Sequence, residues 1–365
     1  MINCMLAANG FSLFKHGKLS RLKWPWAEAR DNILLVTLPV VLALIMTGSW
    51  LPGWAGALTP PPSFHLQYTP CKNRRVLVFP KDYSLGELMI SPNSSTDEED
   101  SLSGAAKGTI VVPAGKFVTF IPAHRFYQNP AIIDTIPPDA VDRLGILAAS
   151  LADEEDGLCD RALSHIAHLK GVLDLKLDRS DASDEGVAHA RDLPNLQKIS
   201  ASQCAFGGKC FKEFAGHKHL RYLRLPSCPI RDENTQYFSA LPCLQHLNLC
   251  HTSISDEGVR GLADCKSLIE LDLSDNPKIT DRSIKTLLNL KTLRVLNLAG
   301  TSMTNKAALQ LKALPLNLFT LPQVILLAKQ LQTIRQQMPG ILVVARGETA
   351  RKVDYDTNKL FAPLH

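Results

Sequence analysis

One hydrophobic pattern dominates the chain from Val172 to Leu298. Apolar residues fall at positions one, four and six of a recurring segment, with polar residues between them. The segments begin at Val172, Leu196, Leu220, Leu244, Leu268 and Leu293, so the spacings are 24, 24, 24, 24 and 25 residues. Their openings read VLDLKLDRSDASD, LQKISASQCAFGG, LRYLRLPSCPIRD, LQHLNLCHTSISD, LIELDLSDNPKITD and LRVLNLAGTSMTN. Alternation over positions three to six predicts a short strand that buries every second side chain. The second half of each segment, as in Asp256-Glu257-Gly258-Val259 followed by Leu262, has the spacing of a helix with one apolar face. A fixed period then predicts strands stacked in parallel, about 4.8 Å apart, in a single sheet.

The polar positions repeat as well. The ninth holds Ser180, Cys204, Cys228, Thr252, Asn276 and Thr301. All are small and able to hydrogen-bond, which predicts a buried column against turn backbone. The thirteenth holds Asp184, Asp232, Asp256 and Asn305, with Asp281 equivalent after one inserted residue and Gly208 in the second segment. Asp160 takes the same place in a partial copy, Asp160 to Gly171. These residues are expected to be helix N-caps, worth about 1 kcal/mol each. Glu185, Glu233 and Glu257 follow in the first turn, near the positive helix end. Because the Asp-Glu pairs recur once per segment, a structural cap explains them and no acid-base or metal site is read from them.

These segments resemble the leucine-rich repeat, in the form LxxLxLxx(N/C/T/S)x(I/A/F/M)xD. They are similar to two groups. One is the cysteine-containing repeat of F-box substrate adaptors. The other is the bacterial membrane-associated proteins with TxITDxGL-type repeats, matched best by Thr252-Ser253-Ile254-Ser255-Asp256-Glu257-Gly258-Val259. The resemblance covers about 148–345 and implies an α/β fold: a right-handed leucine-rich-repeat solenoid with a parallel concave sheet and convex helices. It also implies that proteins or other ligands bind on the concave sheet. The candidate binding residues are therefore the strand residues facing away from the core: Lys176, Lys198, Tyr222, Arg224, His246, Asn248, His251, Glu270 and Asp272. Tyr and Arg are typical interface anchors.

The region before the repeats is different. Between Asp31 and Lys72 lie 40 residues without Asp, Glu, Lys or Arg. Inside this gap Ile33 to Leu51 is a 19-residue apolar run, long enough to cross a hydrocarbon core of about 30 Å. Trp24, Trp26, Trp50 and Trp54 flank it as interfacial aromatics do. Lys15, Lys18, Arg21, Lys23 and Arg30 precede it, which favours a cytoplasmic N-terminus with the repeats outside. Ala55-Gly56-Ala57 also fits a signal-peptidase site, so a secreted product after cleavage is the alternative. The expected organisation is a basic N-terminus (1–31), a transmembrane helix or signal anchor (32–57) and a Pro-rich linker (58–70). A small β-rich segment (71–125), a connector (126–147), the repeat domain with its caps (148–345) and a tail (346–365) follow. The N-terminus does not read as an F-box-like helical module, so the bacterial group is the nearer resemblance.

Composition narrows the chemistry. The chain has 365 residues, 45% hydrophobic and 21% charged, with a formal net charge of +5. This is an ordinary globular balance, and the charge is too small to argue for nucleic acid. The nine cysteines show no CxxC spacing. No dinucleotide, phosphate-loop, serine-hydrolase or zinc-protease motif is present. The expectation is a non-enzymatic protein that binds a protein partner and the membrane, with no catalytic residues, metal or cofactor. Its alternative is a substrate adaptor in protein degradation.

Overall fold

In each repeat the apolar residues at positions one, four and six disappear from solvent. Val172, Leu196, Leu220, Leu244, Leu268 and Leu293 at position one are all fully buried. The residues at positions four and six, such as Leu247 with Leu249 and Leu271 with Leu273, are at most 1% exposed. At about 25 cal/mol per Å², each such leucine contributes roughly 1.5–3 kcal/mol to the core. These observations come from a computed structural model that describes residues 67–71, 74–92, 102–147, 157–322 and 328–345. The apolar run at 33–51 lies outside the described residues. Among the described residues, no helix is long and apolar enough to cross a membrane.

The chain begins its described part with β1 (Gln67–Cys71), β2 (Arg74–Val78), β3 (Gly86–Ser91), β4 (Leu102–Ala105), β5 (Thr109–Pro113) and β6 (Phe117–Pro122). The repeat strands follow: β7 (Arg143–Gly145), β8 (Asp174–Lys176), β9 (Lys198–Ser200), β10 (Tyr222–Arg224), β11 (His246–Asn248), β12 (Glu270–Asp272) and β13 (Val295–Asn297). β14 (Leu318–Thr320) and β15 (Leu342–Val344) end the series. One 12-stranded sheet runs β15-β14-β13-β12-β11-β10-β9-β8-β7-β6-β3-β4, and β1-β2-β5 form a separate antiparallel sheet. From β6 to β15 every neighbour is parallel, whereas β3 and β4 are antiparallel. Equivalent repeat positions pair directly, Tyr222 with His246 and His246 with Glu270. The strands before the repeats thus lengthen the same sheet and cover its first edge. The ladder also starts upstream of 148, because Val141, Leu144 and Ile146 are buried at positions one, four and six around β7.

The helical half is shorter and more varied than the pattern predicts. Among the described residues the α-helices are α1 (His124–Gln128), α2 (Leu158–Leu163), α3 (Asp184–Ala188), α4 (Asp256–Gly261), α5 (Ile284–Leu287), α6 (Asn305–Ala308) and α7 (Ala328–Gln337). The segments Lys209–Phe214 and Asp232–Ala240 are 3₁₀ helices instead. Val187, Val259, Leu262 and Leu287 from this half share one core with the strand residues. The core closes at the N-terminal side on the aromatic chain Phe79, Phe120, Phe126 and Tyr127, with centroids 5.8–6.3 Å apart.

The carboxylates expected to cap the helices have another task. The side-chain caps lie one residue earlier, at Ser183, Ser255, Thr280 and Thr304. Asp184, Asp256, Asp281 and Asn305 are the first helical residues, and α2 is preceded by Gly157 with Asp160 inside its first turn. Each Asp reaches across to the following repeat. Asp160 accepts from the Ser183 N–H at 2.8 Å and its hydroxyl at 2.5 Å. Asp232 does the same for Ser255, at 2.9 and 2.5 Å. Asp256 accepts from the Thr280 N–H (2.8 Å), the Thr280 hydroxyl (2.6 Å) and the Ser283 hydroxyl (2.5 Å). Asp281 holds Thr304, and Asp184 holds the N–H groups of Gly207 and Cys210. A line of carboxylates therefore ties each of the four side-chain caps, Ser183, Ser255, Thr280 and Thr304, to the repeat before it. The helix glycines make room for it: a Cβ on Gly186 would overlap Asp160, and one on Gly258 would overlap Asp232.

Candidate binding face of the parallel sheet

The face turned away from the helical half is built from strand positions three and five and the turn residues at seven and eight. The backbone sets where these side chains stand. At position eight Arg179, Gln203, Ser227, His251 and Asp275 all have φ of 56–61°, a left-handed conformation that L side chains seldom adopt. The turn lets the position-eight N–H bond to the next repeat, as in His251 N to Ser274 O at 2.9 Å. The ladder thus gains one bond beyond the strand. His251 is exposed at this rim, and its place is decided by the turn.

Position five is partly committed to the same turn. Asn248 accepts from the Cys250 N–H at 3.0 Å, Asp272 from the Ser274 N–H at 2.9 Å and Asn297 from the Ala299 N–H at 3.1 Å. Asn248 also donates to Asp272 at 3.3 Å. Burial raises the Asp272 carboxyl above its ordinary value, the Ser274 and Asn297 hydrogen bonds pull it back, and the Glu270 charge adds to the rise. Asn248 and Asp272, expected as ligand contacts, are therefore turn-forming residues with their carbonyl or carboxylate oxygens engaged.

Position three carries a continuous polar row. Arg143 on β7 donates to Asp174 on β8 at 2.8 Å and lies 5.0 Å over the Phe117 ring. Lys198 on β9 reaches the same carboxylate at 3.6 Å. Tyr222 on β10 lies flat on His246 of β11, with centroids 4.3 Å apart and planes 8° from parallel. His246 Nδ1 is 2.9 Å from Glu270 on β12. His246, expected at the surface, is 7% exposed under this stack. Burial raises the Tyr222 phenol above its ordinary pKa. At position five Lys176 lies 3.8 Å and Arg224 4.0 Å from Asp178, with Ser200 donating to Asp178 between them. The Arg224 side chain remains 53% exposed.

The structure thus joins Lys176 with Arg224, Lys198 with the start of the row, and Tyr222, His246 and Glu270 into one unit. Arg143, Asp174 and Asp178 complete the face and were not among the expected contacts. The signal for Arg143 is present in the sequence, since Val141-Asp142-Arg143-Leu144-Gly145-Ile146 has the one-four-six pattern, but it lies 31 residues before Val172.

The ninth-position column is buried. Cys204 Sγ donates to Leu177 O at 2.9 Å, Cys228 Sγ to Ala201 O at 2.8 Å, and Asn276 Nδ2 reaches three carbonyl oxygens at 2.8–3.1 Å. Contact with Cys204 and burial push the Cys228 thiol up, and burial pushes Cys265 up to about 12. His165 pairs with Asp134, His168 with Ile136 O and His217 with Leu193 O. Among the described residues no group of three His, Cys, Asp or Glu side chains is placed to hold a metal.

The family model described as "Leucine Rich repeat" matches residues 240–263 and 264–288. An F-box protein, SKIP19 of Arabidopsis thaliana, is 31% identical over 121 residues, which is 30% of this chain and 39% of that protein. The chain therefore spans well under half the length of this curated relative. Among solved structures, an internalin (inlF) from Listeria monocytogenes is 17% identical with a TM-score of 0.40, over 58% of this chain and 62% of that one. The plant peptide hormone receptor RGFR1, solved in complex with RGF2, is 17% identical with a TM-score of 0.35, over 57% of this chain and 32% of that one. With two repeats matched by the family model and the same register carried from Val172 to Leu298, this part of the chain is built of leucine-rich repeats.

Proposed function

We propose that this protein is a non-enzymatic binding scaffold that engages a protein partner through the open face of its parallel sheet. The observation that carries the reading is the Tyr222–His246 stack beside the half-exposed Arg224. An aromatic ring already fixed by stacking loses little side-chain freedom when a partner covers it, and Tyr and Arg are frequent energetic anchors. The 40-residue uncharged stretch supports the second half of the reading, a single-pass anchor in the cell membrane with the repeats outside and the N-terminus in the cytoplasm.

The test is a paired pull-down with the full chain and its Tyr222→Ala/Arg224→Ala variant. A partner held by wild type and lost by the variant, at unchanged thermal midpoint, supports the open face. Equal capture by both refutes it.

A second reading is favoured by the match to an F-box protein: an intracellular adaptor that presents substrates for degradation on the same face. Carbonate extraction separates the two. A carbonate-resistant membrane fraction supports the anchored scaffold, and a soluble cytosolic chain supports the adaptor.

A further inference from the structure

Fixed charge on the open face is sorted along the strand order. On β7 to β10, and in the turn after β8, four cations share two carboxylates: Arg143 and Lys198 meet at Asp174, Lys176 and Arg224 at Asp178. Two strands further on the sign reverses. β12 carries Glu270 and Asp272, followed by Asp275 in its turn. Glu270 is paired with the His246 ring nitrogen, and Asp272 is hydrogen-bonded to neutral groups. The Tyr222–His246 stack stands at the crossover, and the next strand, β13, presents uncharged Val295 and Asn297.

Such a face discriminates between classes of partner. A polyanion that meets Arg224 and Lys198 sets its next charges against Glu270 and Asp272, and a polycation meets the opposite conflict. A segment with one charge of each sign satisfies both ends. β9 or β10 to β12 is two or three strand steps, about 10–14 Å, and an extended chain covers that in three or four residues at about 3.3 Å each.

We propose that the open face takes an extended protein segment bearing an acidic and a basic residue three or four positions apart. The acid lies over Lys198 and Arg224, the base over Glu270, and the residues between them over the Tyr222 ring. This rests on the open-face reading above and adds the chemistry of the partner.

The probes are three fluorescein-labelled nonapeptides that share a Gly-Tyr-Gly centre and differ in the flanking charges: one Asp with one Lys, two Asp, or two Lys. Anisotropy titrations with the full chain at low salt are expected to show the mixed peptide binding about fivefold or more tighter than either like-charged one. Arg224→Glu is expected to move the preference to the two-Lys peptide, and Glu270→Lys to the two-Asp peptide, at unchanged thermal midpoints. Arg224→Gln, which adds no charge beside Asp178, serves if the Glu variant unfolds. It is expected to erase the mixed-peptide advantage. Equal affinities that Tyr222→Ala still weakens would overturn the charge order and leave the open face intact. Binding indifferent to Tyr222→Ala, or no binding, overturns both.

Discussion

Replacing Asp256 by Ala tests whether the carboxylates hold neighbouring repeats together. The substitution removes three acceptor contacts at 2.5–2.8 Å, from the Thr280 N–H and the Thr280 and Ser283 hydroxyls. Hydrogen bonds to a charged acceptor contribute about 1.5–3 kcal/mol each, but the half-buried Thr280 hydroxyl can turn to water, while the buried Ser283 hydroxyl and the Thr280 N–H cannot. A net loss of about 2–4 kcal/mol is expected, against about 1–2 kcal/mol for Ser255→Ala, which removes the cap of α4 and one hydroxyl donor to Asp232 but keeps the Ser255 N–H bond to that carboxylate. Asp256→Asn keeps an acceptor and should fall between them. Burial alone would raise the Asp256 carboxyl, but hydrogen bonds from Ser283 and Thr280, with the Arg282 charge, outweigh it and hold the group below its ordinary 3.8. A folded value below the unfolded one makes this stabilisation complete above the ordinary value and lost as pH falls through the folded one. Urea unfolding followed by circular dichroism is the assay. The gap between wild type and Asp256→Ala should be widest near neutrality and narrow below pH 3.8. A loss no larger than that of Ser255→Ala, or a gap independent of pH, would refute the inter-repeat role.

Two further substitutions probe the same architecture. Gly258→Ala should destabilise by about 1–3 kcal/mol by overpacking, although Ala is the better helix former by about 1 kcal/mol, because the new methyl displaces the Asp232 carboxylate. Urea midpoints decide, and combination with Asp232→Ala should cost less than the two separate losses. Asn276→Ala should cost about 2–4 kcal/mol by taking the donor from Leu273 O and the acceptor from the buried Thr252 N–H, while Leu249 O and Ser274 O keep Thr252 and His251 as donors. A thermal midpoint within a degree of wild type would contradict this.

The period, the core and the ninth-position column were legible because each depends on the chain's own order. Leucines spaced one-four-six can be buried together only if every repeat presents the same edge, and a small polar residue three places further on meets the turn of its own repeat, as Thr252 meets Leu249 O. The caps were misread by one position. Ser255-Asp256 and Thr280-Asp281 each offer two capping residues in succession, and local preference accepts either. Only the neighbour decides, since Ser255 is both cap and donor to Asp232.

The candidate face divides in the same way. That Tyr222, Arg224, His246 and Glu270 point away from the core follows from strand alternation alone. That Tyr222 covers His246, that Asn248 and Asp272 are engaged by their turns, and that Arg143 heads the row could not be read from alternation, which assigns a side but not a partner. The first and last of these join residues in different repeats, as do His246 with Glu270, 24 apart, and Arg143 with Asp174, 31 apart, whereas the turn bonds of Asn248 and Asp272 reach two residues along the same repeat. The sequence by itself determined a stack of parallel strands and which side chains face solvent, because burial repeats with the local period. Only the tertiary structure decided which of those side chains are engaged and which stay available, because pairing depends on what the adjacent repeat places within hydrogen-bonding reach.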